Sequence, residues 1–200
     1  MTLVVALAGA SGSGKSTLAR GLTSVLGPHR TAVLPIDAYY HDLSHLEPAQ
    51  REQVNFDHPD AIDLGLFAEH IETLKRGRGV DCPLYDFSTH SRLPRTEKVL
   101  PAEFLLVEGI LVASNDVLVN FYDHLIFVEA DSSLRRHRRL KRDKQERARD
   151  QESIGRFWVR AENTFAECGA RAREKAQLIV CGEQQSEQIV TQIIKYIGLD

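Results

Sequence analysis

The chain has 200 residues, 42% of them hydrophobic, and its 25 basic and 28 acidic side chains give a formal net charge of −3. That length suits one α/β domain with a sizeable core, and the acidic balance excludes general nucleic-acid binding, because counterion release needs a clear basic excess. Three cysteines, Cys82, Cys168 and Cys181, lack C-x-x-C spacing and so indicate neither a disulfide framework nor a thiolate zinc site, which points to a cytoplasmic protein.

In chain order, the first predicted element is the strand Leu3-Val4-Val5-Ala6-Leu7-Ala8, apolar throughout as a strand covered on both faces should be. It is too short to cross a bilayer and lacks the charged start of a signal peptide, so no membrane partner is expected. It leads into Gly9-Ala10-Ser11-Gly12-Ser13-Gly14-Lys15-Ser16, which matches the G-x-x-x-x-G-K-[ST] phosphate loop, with Thr17 beyond. Glycines let successive backbone N–H groups turn toward one concavity. A helix predicted from Lys15 to Leu26 adds the positive end of its dipole, so a polyphosphate is held chiefly by main chain. Lys15 then reaches the β- and γ-phosphates, and Ser16 supplies one oxygen to Mg²⁺.

A second strand, Ala32–Ile36, ends at Asp37, on the carboxyl edge where ligands of parallel sheets sit. A carboxylate there can accept the proton of an attacking hydroxyl or simply orient it, and can also touch a metal ion. Leu64, Phe67, Ala68, Ile71 and Leu74 fall at helical spacing, closed by Gly77 and Gly79. From Val80 to Pro101, Pro83, Pro94 and Pro101 with little helical periodicity predict a hairpin or loop outside the main sheet. The strand Phe104–Val107 runs into Glu108-Gly109, the placement of a Walker-B acid that holds magnesium directly or through water; capping a helix is the other use of such an acid. Strands Leu125–Val128 and Leu178–Val180 follow, and Ile189, Ile193, Tyr196 and Ile197 mark a last amphipathic helix. Strands alternating with helices predict an α/β fold, a mostly parallel sheet covered on both faces.

Residues 135–149 hold nine Lys/Arg against two acids, Asp143 and Glu146, in a chain of negative net charge. On a helix, Arg135, Arg139, Arg142 and Arg149 keep near one stripe with Arg138 adjacent, and the two acids can pair with Arg139, Arg142 or Arg147. Such a concentration of cations needs anions nearby. No pair among the eight histidines sits at a ligand spacing with an acid, so no transition metal is expected.

Several segments together resemble the uridine kinase (uridine–cytidine kinase) family of P-loop nucleoside kinases, which is related to phosphoribulokinase. They are Gly9–Thr17, Asp37-Ala38-Tyr39-Tyr40, Asn55-Phe56-Asp57-His58-Pro59-Asp60, Pro83–Phe87 with His90-Ser91-Arg92, Glu108–Leu111, and Arg138–Asp143 running on to Glu146–Arg149. The resemblance implies a single P-loop NTPase-type domain over residues 1–200, with a β-hairpin substrate subdomain near 80–101 and an Arg-rich helical lid near 135–165. It implies that Asp37 activates the nucleoside 5′-hydroxyl, that Asp57 holds ribose hydroxyls, and that Tyr40, Tyr85, Phe87 and His90 serve the acceptor, the last three as the pyrimidine pocket. It further implies that Arg139 and Arg149 contact the acceptor, that Arg142 and Arg147 contact ATP phosphates, and that the protein is a homo-oligomer. A ribose diol can donate two hydrogen bonds to one carboxylate, aromatic rings stack on a flat base, and an imidazole can meet either the O4 acceptor of uracil or the N4 donor of cytosine.

Past Asp150 the likeness weakens. Where the family carries a Gln-Tyr pair after the lid and a Lys-Tyr-Ala-Asp segment before the last strand, this chain reads Arg156-Phe157-Trp158 and Glu174-Lys175-Ala176-Gln177. A substrate-pocket glutamine is missing or replaced, and a guanidinium in its place favours a more anionic or differently hydroxylated acceptor. The first functional expectation is transfer of the γ-phosphoryl of ATP or GTP, with Mg²⁺, to the 5′-hydroxyl of uridine and cytidine, a step of pyrimidine salvage. A second is the same fold with another hydroxyl acceptor, as in phosphoribulokinase or pantothenate kinase. A third is a nucleotide-responsive regulatory module without transfer, against which the full set Lys15, Asp37, Glu108 and Arg142 argues.

Overall fold

β1 (Leu3–Ala8) lies at the centre of a five-stranded parallel sheet because every one of its side chains finds an apolar partner on one face or the other. The computed structural model describes residues 2–51, 53–146 and 151–199. With β2 (Thr31–Pro35), the hairpin strands β3 (Val80–Asp86) and β4 (Ser91–Val99), then β5 (Phe104–Glu108), β6 (His124–Glu129) and β7 (Leu178–Cys181), the main sheet has the order β2-β5-β1-β6-β7. β1 pairs with β5 from Leu3↔Phe104 to Leu7↔Glu108 and with β6 from Val5↔His124 to Ala8↔Phe127. The strand period of two sorts the core into two layers. Val5, Leu7 and Leu106 pack under α1 (Lys15–Leu26) and α8 (Ser186–Tyr196), while Val4, Ala6, Leu105 and Leu34 pack against Phe67, Ile71 and Leu74 of α3 (Leu64–Lys75).

The strand predicted as Ala32–Ile36 is shifted back by one residue, and Ile36–Tyr39 forms a 3₁₀ turn that carries Asp37. The reason is pairing: the last ladder pair is Pro35↔Glu108, where β5 also ends, so Ile36 has no partner to extend it. Ile197 falls just past the last helix, and the short helices α2 (Pro48–Arg51) and α4 (Asp116–Val119) had no periodicity to reveal them. The Arg-rich segment begins earlier than expected, as α5 (Ser132–Glu146), and the chain returns through α6 (Gln151–Thr164), a π turn at Phe165–Gly169 and α7 (Arg171–Lys175). Among the described residues no helix is long and apolar enough to cross a membrane.

The β3–β4 hairpin stands outside the main sheet, as its prolines required. Both strands of a two-stranded ribbon are edges, so Pro83 and Pro94 cost little there, and the register shifts between Pro83 and Tyr85. Such a ribbon is marginal alone and needs an anchor. Arg92 provides one, donating from Nε to the Tyr40 carbonyl at 2.7 Å and from Nη2 to the Tyr39 carbonyl at 3.0 Å, with Asp63 Oδ2 at 3.4 Å. Asp63 in turn caps α3 by accepting from the Leu66 N–H. The hairpin, the Asp37 turn and α3 are therefore held by one side chain.

Removing that guanidinium leaves two inward carbonyls without their charged donor, at about 2 kcal/mol of stability. Arg92→Ala is expected to lower the thermal midpoint by roughly 4–8 °C in a calorimetric scan. A shift below about 1 °C would show the anchor to be idle.

Candidate active site

The loop between β1 and α1 is shaped by glycines in backbone regions closed to other residues. Gly12 has φ 80°, and a Cβ there would lie 2.4 Å from the Arg135 carbonyl oxygen, so α5 can approach the loop only because residue 12 has no side chain. Gly14 leads into α1 without a capping side chain, and no acid occupies the first turn. The leading N–H groups of that helix are thus left for an anion, with the dipole favouring one. Lys15 is buried and folds back to donate from Nζ to the Ala10 carbonyl at 2.9 Å.

Two acids from different strands meet this lysine. Glu108 ends β5 and accepts from Ser16 Oγ at 2.9 Å, while Asp37 sits on the 3₁₀ turn that follows β2. Gly109 makes the junction possible: at φ 151°, a Cβ would stand 2.2 Å from Ile36 Cγ2 and 3.6 Å from Asp37 Oδ1. Burial lowers the Lys15 pKa to about 8, with Glu108 and Asp37 opposing that shift and Arg142 and Arg135 adding to it. Burial also raises the Glu108 carboxyl above its ordinary range; Asp37 raises it further, while Lys15, Ser16 and Arg142 pull it down. For Lys15 and Glu108 the opposite charge of the other thus offsets part of the cost of burial.

α5 closes this cavity of about 640 Å³ from above. Arg138 donates to the carbonyls of Gly12, Ser13 and Gly182 at 3.4, 3.3 and 3.0 Å, fastening the helix to the phosphate loop. Arg142 is held by Asp143, and Arg139 lies between Asp143 at 3.6 Å and Asp57 at 3.9 Å. The loop bearing Asp57 is tied to α6, where Arg160 donates to the Val54 carbonyl at 3.0 Å and Asn55 Nδ2 to Thr164 Oγ1 at 2.9 Å. Aromatic rings wall the far end: Tyr40 lies 5.0 Å from Tyr85 and 6.4 Å from Phe87, centroid to centroid.

Ser11, Gly12, Gly14, Lys15, Ser16 and Thr17 line the cavity, and Gly9, Ala10 and Ser13 complete the loop beneath them. Asp37, Tyr40, Asp57, Tyr85, Phe87, Glu108, Arg139 and Arg142 line it too. His90 does not. Its backbone is left-handed, φ 52°, and its ring stacks on Phe56 with centroids 4.5 Å apart and planes at 13°. Arg135 also departs from the expected stripe of anion contacts, because Glu162 takes its guanidinium at 2.7 and 2.8 Å beside the Trp158 ring. Arg147 and Arg149 lie outside the described residues, as do the side chains of Arg156 and Phe157. Arg20 and Arg138 are lining residues that sequence reasoning gave no role; the helical spacing of Arg20 from Ser16, and of Arg138 from Arg142, was the available signal.

The oxygens present fit magnesium. Ser16 Oγ and Glu108 Oε1 are 2.9 Å apart, close enough to share one coordination sphere, with Asp37 beside them, and Mg²⁺ takes one or two protein oxygens alongside phosphates and water. Among the described residues no group of three or more His, Cys, Asp or Glu side chains is gathered as for a transition metal.

Residues 4–187 match the family model for "Phosphoribulokinase / Uridine kinase family". The chain belongs to that family. A uridine kinase from Chloroflexus aurantiacus (strain ATCC 29366 / DSM 635 / J-10-fl) is 43% identical over 152 residues, 76% of this chain and 73% of the relative. A uridine kinase from Clostridium perfringens strain ATCC 13124 is 40% identical over the same shares. The phosphoribulokinase from Rhodobacter spheroides shares the fold, with a TM-score of 0.65 at 12% identity, covering 90% of this chain and 70% of that one. As a member of this family the protein is a kinase that transfers a phosphoryl group to an alcohol.

The lowered Lys15 pKa has a measurable consequence. A bound polyphosphate favours the ammonium form, so above about pH 8 binding takes up a proton and affinity falls as pH rises through that window. Calorimetric titration with a nucleoside triphosphate, in buffers of differing ionisation enthalpy, is expected to show this uptake and Lys15→Met to abolish it. Affinity that is level across the window would contradict the assignment.

Proposed function

We propose that the protein transfers the γ-phosphoryl group of ATP, or of GTP, to the 5′-hydroxyl of uridine or cytidine with Mg²⁺ present, a step of cytoplasmic pyrimidine salvage. The observation that carries this reading is one cavity with an anion cradle at one end, two carboxylates across it, and an aromatic wall beyond. A nucleoside presents the matching series: a hydroxyl to be phosphorylated, a diol, and a flat base whose faces can stack on aromatic rings. The uridine kinases among the relatives support the same acceptor class.

In this reading the leading N–H groups of α1 and Lys15 hold the β- and γ-phosphates, and Asp57 orients the ribose through its hydroxyls. Asp37 accepts the proton of the 5′-hydroxyl as its oxygen forms a bond to the γ-phosphorus. The bond from that phosphorus to the β,γ-bridging oxygen breaks, and the diphosphate leaves. Lys15 and Arg142 stabilise the charge spread over the transferring group. Magnesium, when bound by Ser16 and Glu108, supplies further neutralisation of the phosphate oxygens. Tyr40, Tyr85 and Phe87 hold the base, and α5 with Arg138 excludes water, which protects the donor from hydrolysis.

A second reading, an acceptor that itself bears an anionic group, draws on the cations lining the cavity: Lys15, Arg20, Arg138, Arg139 and Arg142 line it with the carboxylates Asp37, Asp57 and Glu108, and Asp143 stands behind Arg139 and Arg142. A panel of acceptors in a coupled assay of diphosphate release separates the two. Uridine and cytidine are expected to give the highest kcat/KM, and a phosphorylated sugar that exceeds them would favour the second reading.

Asp37→Asn is expected to lower turnover by about 10²–10⁴-fold, the range for loss of a positioned general base, while the donor's Kd changes by less than about threefold. Retention of the wild-type rate would remove Asp37 from its role. Asp57→Asn is expected to act differently, raising the acceptor KM by about tenfold or more as a charge-assisted pair of hydrogen bonds is weakened.

A further inference from the structure

Arg142 and Arg139 reach the cavity from the same helix, and one carboxylate touches both. Asp143 is wholly buried. Its Oδ1 accepts from Arg142 Nε at 3.0 Å and Nη2 at 2.9 Å, and its Oδ2 faces Arg139 Nε at 3.6 Å. The other side of the Arg139 guanidinium carries Nη1 to 3.9 Å from Asp57 Oδ1. A chain of alternating charge thus runs from the donor side of the cavity to the acceptor side, with Asp143 in the middle.

We propose that Asp143 is a positioning residue for phosphoryl transfer: it divides its two oxygens between the arginine at the transferred phosphate and the arginine beside the acceptor carboxylate, and so ties the placement of one to that of the other. The roles of Arg142 and Arg139 used here rest on the function proposed above. The position of Asp143 on α5 explains how one side chain does this. It is next to Arg142 in sequence and one helical turn beyond Arg139, so the two guanidiniums converge on it from both sides.

Helix packing alone does not account for a carboxylate at this place. An apolar side chain of similar volume serves a buried site as well as an ion pair or better, because taking charges out of water costs about what their attraction returns. What an apolar side chain cannot do is hold a guanidinium in one orientation. Asp143 grips the Nε and Nη2 edge of Arg142 and leaves Nη1 as the donor that this grip does not use. An arginine held in that way needs no reorganisation when charge develops on the phosphoryl group. Arg139 is different. Its separations of 3.6 and 3.9 Å exceed hydrogen-bond length, so it is linked to these two carboxylates by charge and not by a directed hydrogen bond.

The test is a double-mutant cycle. Asp143→Asn keeps the shape and removes the charge, and is expected to lower kcat by about 10²-fold, part of the 10³ or more that an arginine at the transferred phosphate supplies. The donor's Kd without acceptor is expected to stay within about threefold of wild type, giving a kcat loss that a general structural defect would not confine to turnover. In the Arg142→Ala background the same change is expected to cost less than about threefold, because the group it positions is already gone. Asp143→Glu keeps the charge and lengthens the arm by a methylene; it takes the place of Asp143→Asn if that variant does not fold, with the same non-additivity expected. Wild-type kcat in either folded variant, or losses that add in the cycle, overturns the proposal. Failure of the wild-type protein to phosphorylate uridine or cytidine counts against the function reading alone. The cycle is then run with the acceptor that the panel identifies, or with basal nucleotide hydrolysis.

Discussion

The ammonium of Lys15 is buried, and a buried charge needs counter-charges at close range. Glu108 and Asp37 provide them, and both are delivered by the parallel ladder in which β5 runs between β1 and β2. Because those three strands end level with one another, their carboxyl edges place a lysine, a carboxylate and a second carboxylate around one point. Burial raises the Glu108 carboxyl and Asp37 raises it further, and the lysine opposes both.

The upper half of the site extends this logic through α5. Arg138 fastens the helix to the phosphate loop, Arg135 fastens it to α6, and Asp143 lies between Arg139 and Arg142. α6 in turn holds the loop that bears Asp57. Asp57 and the arginines above it are consequently parts of one connected unit, and the hairpin joins it through Arg92, through the Arg51 donation to the Thr89 carbonyl and through the stack of His90 on Phe56.

Much of this was legible in the sequence where the signal is local. The apolar run before the phosphate loop, the acids that close β2 and β5, the prolines that keep residues 80–101 out of the sheet, and the helical spacing in α3 each lie within about a dozen residues and follow from backbone chemistry. His90 was not legible: its expected role followed from resemblance, and only the left-handed backbone and the neighbouring Phe56 show where the ring goes. Arg135 was counted among the cations awaiting anions, although Glu162, distant in sequence, takes its guanidinium.

The sequence by itself determined the main strands, the long helices α1, α3 and α8 and the chemistry their ends carry, because hydrophobic period, glycine, proline and the phosphate-loop pattern act over a few neighbouring residues. Tertiary structure alone decided which charges meet. Lys15, Asp37 and Glu108 converge through strand order, and Arg135, Arg138, Arg139 and Arg142 of α5 each lie against a partner on the same or another element. Long charged side chains have many rotamers of similar energy, and only packing in three dimensions selects among them.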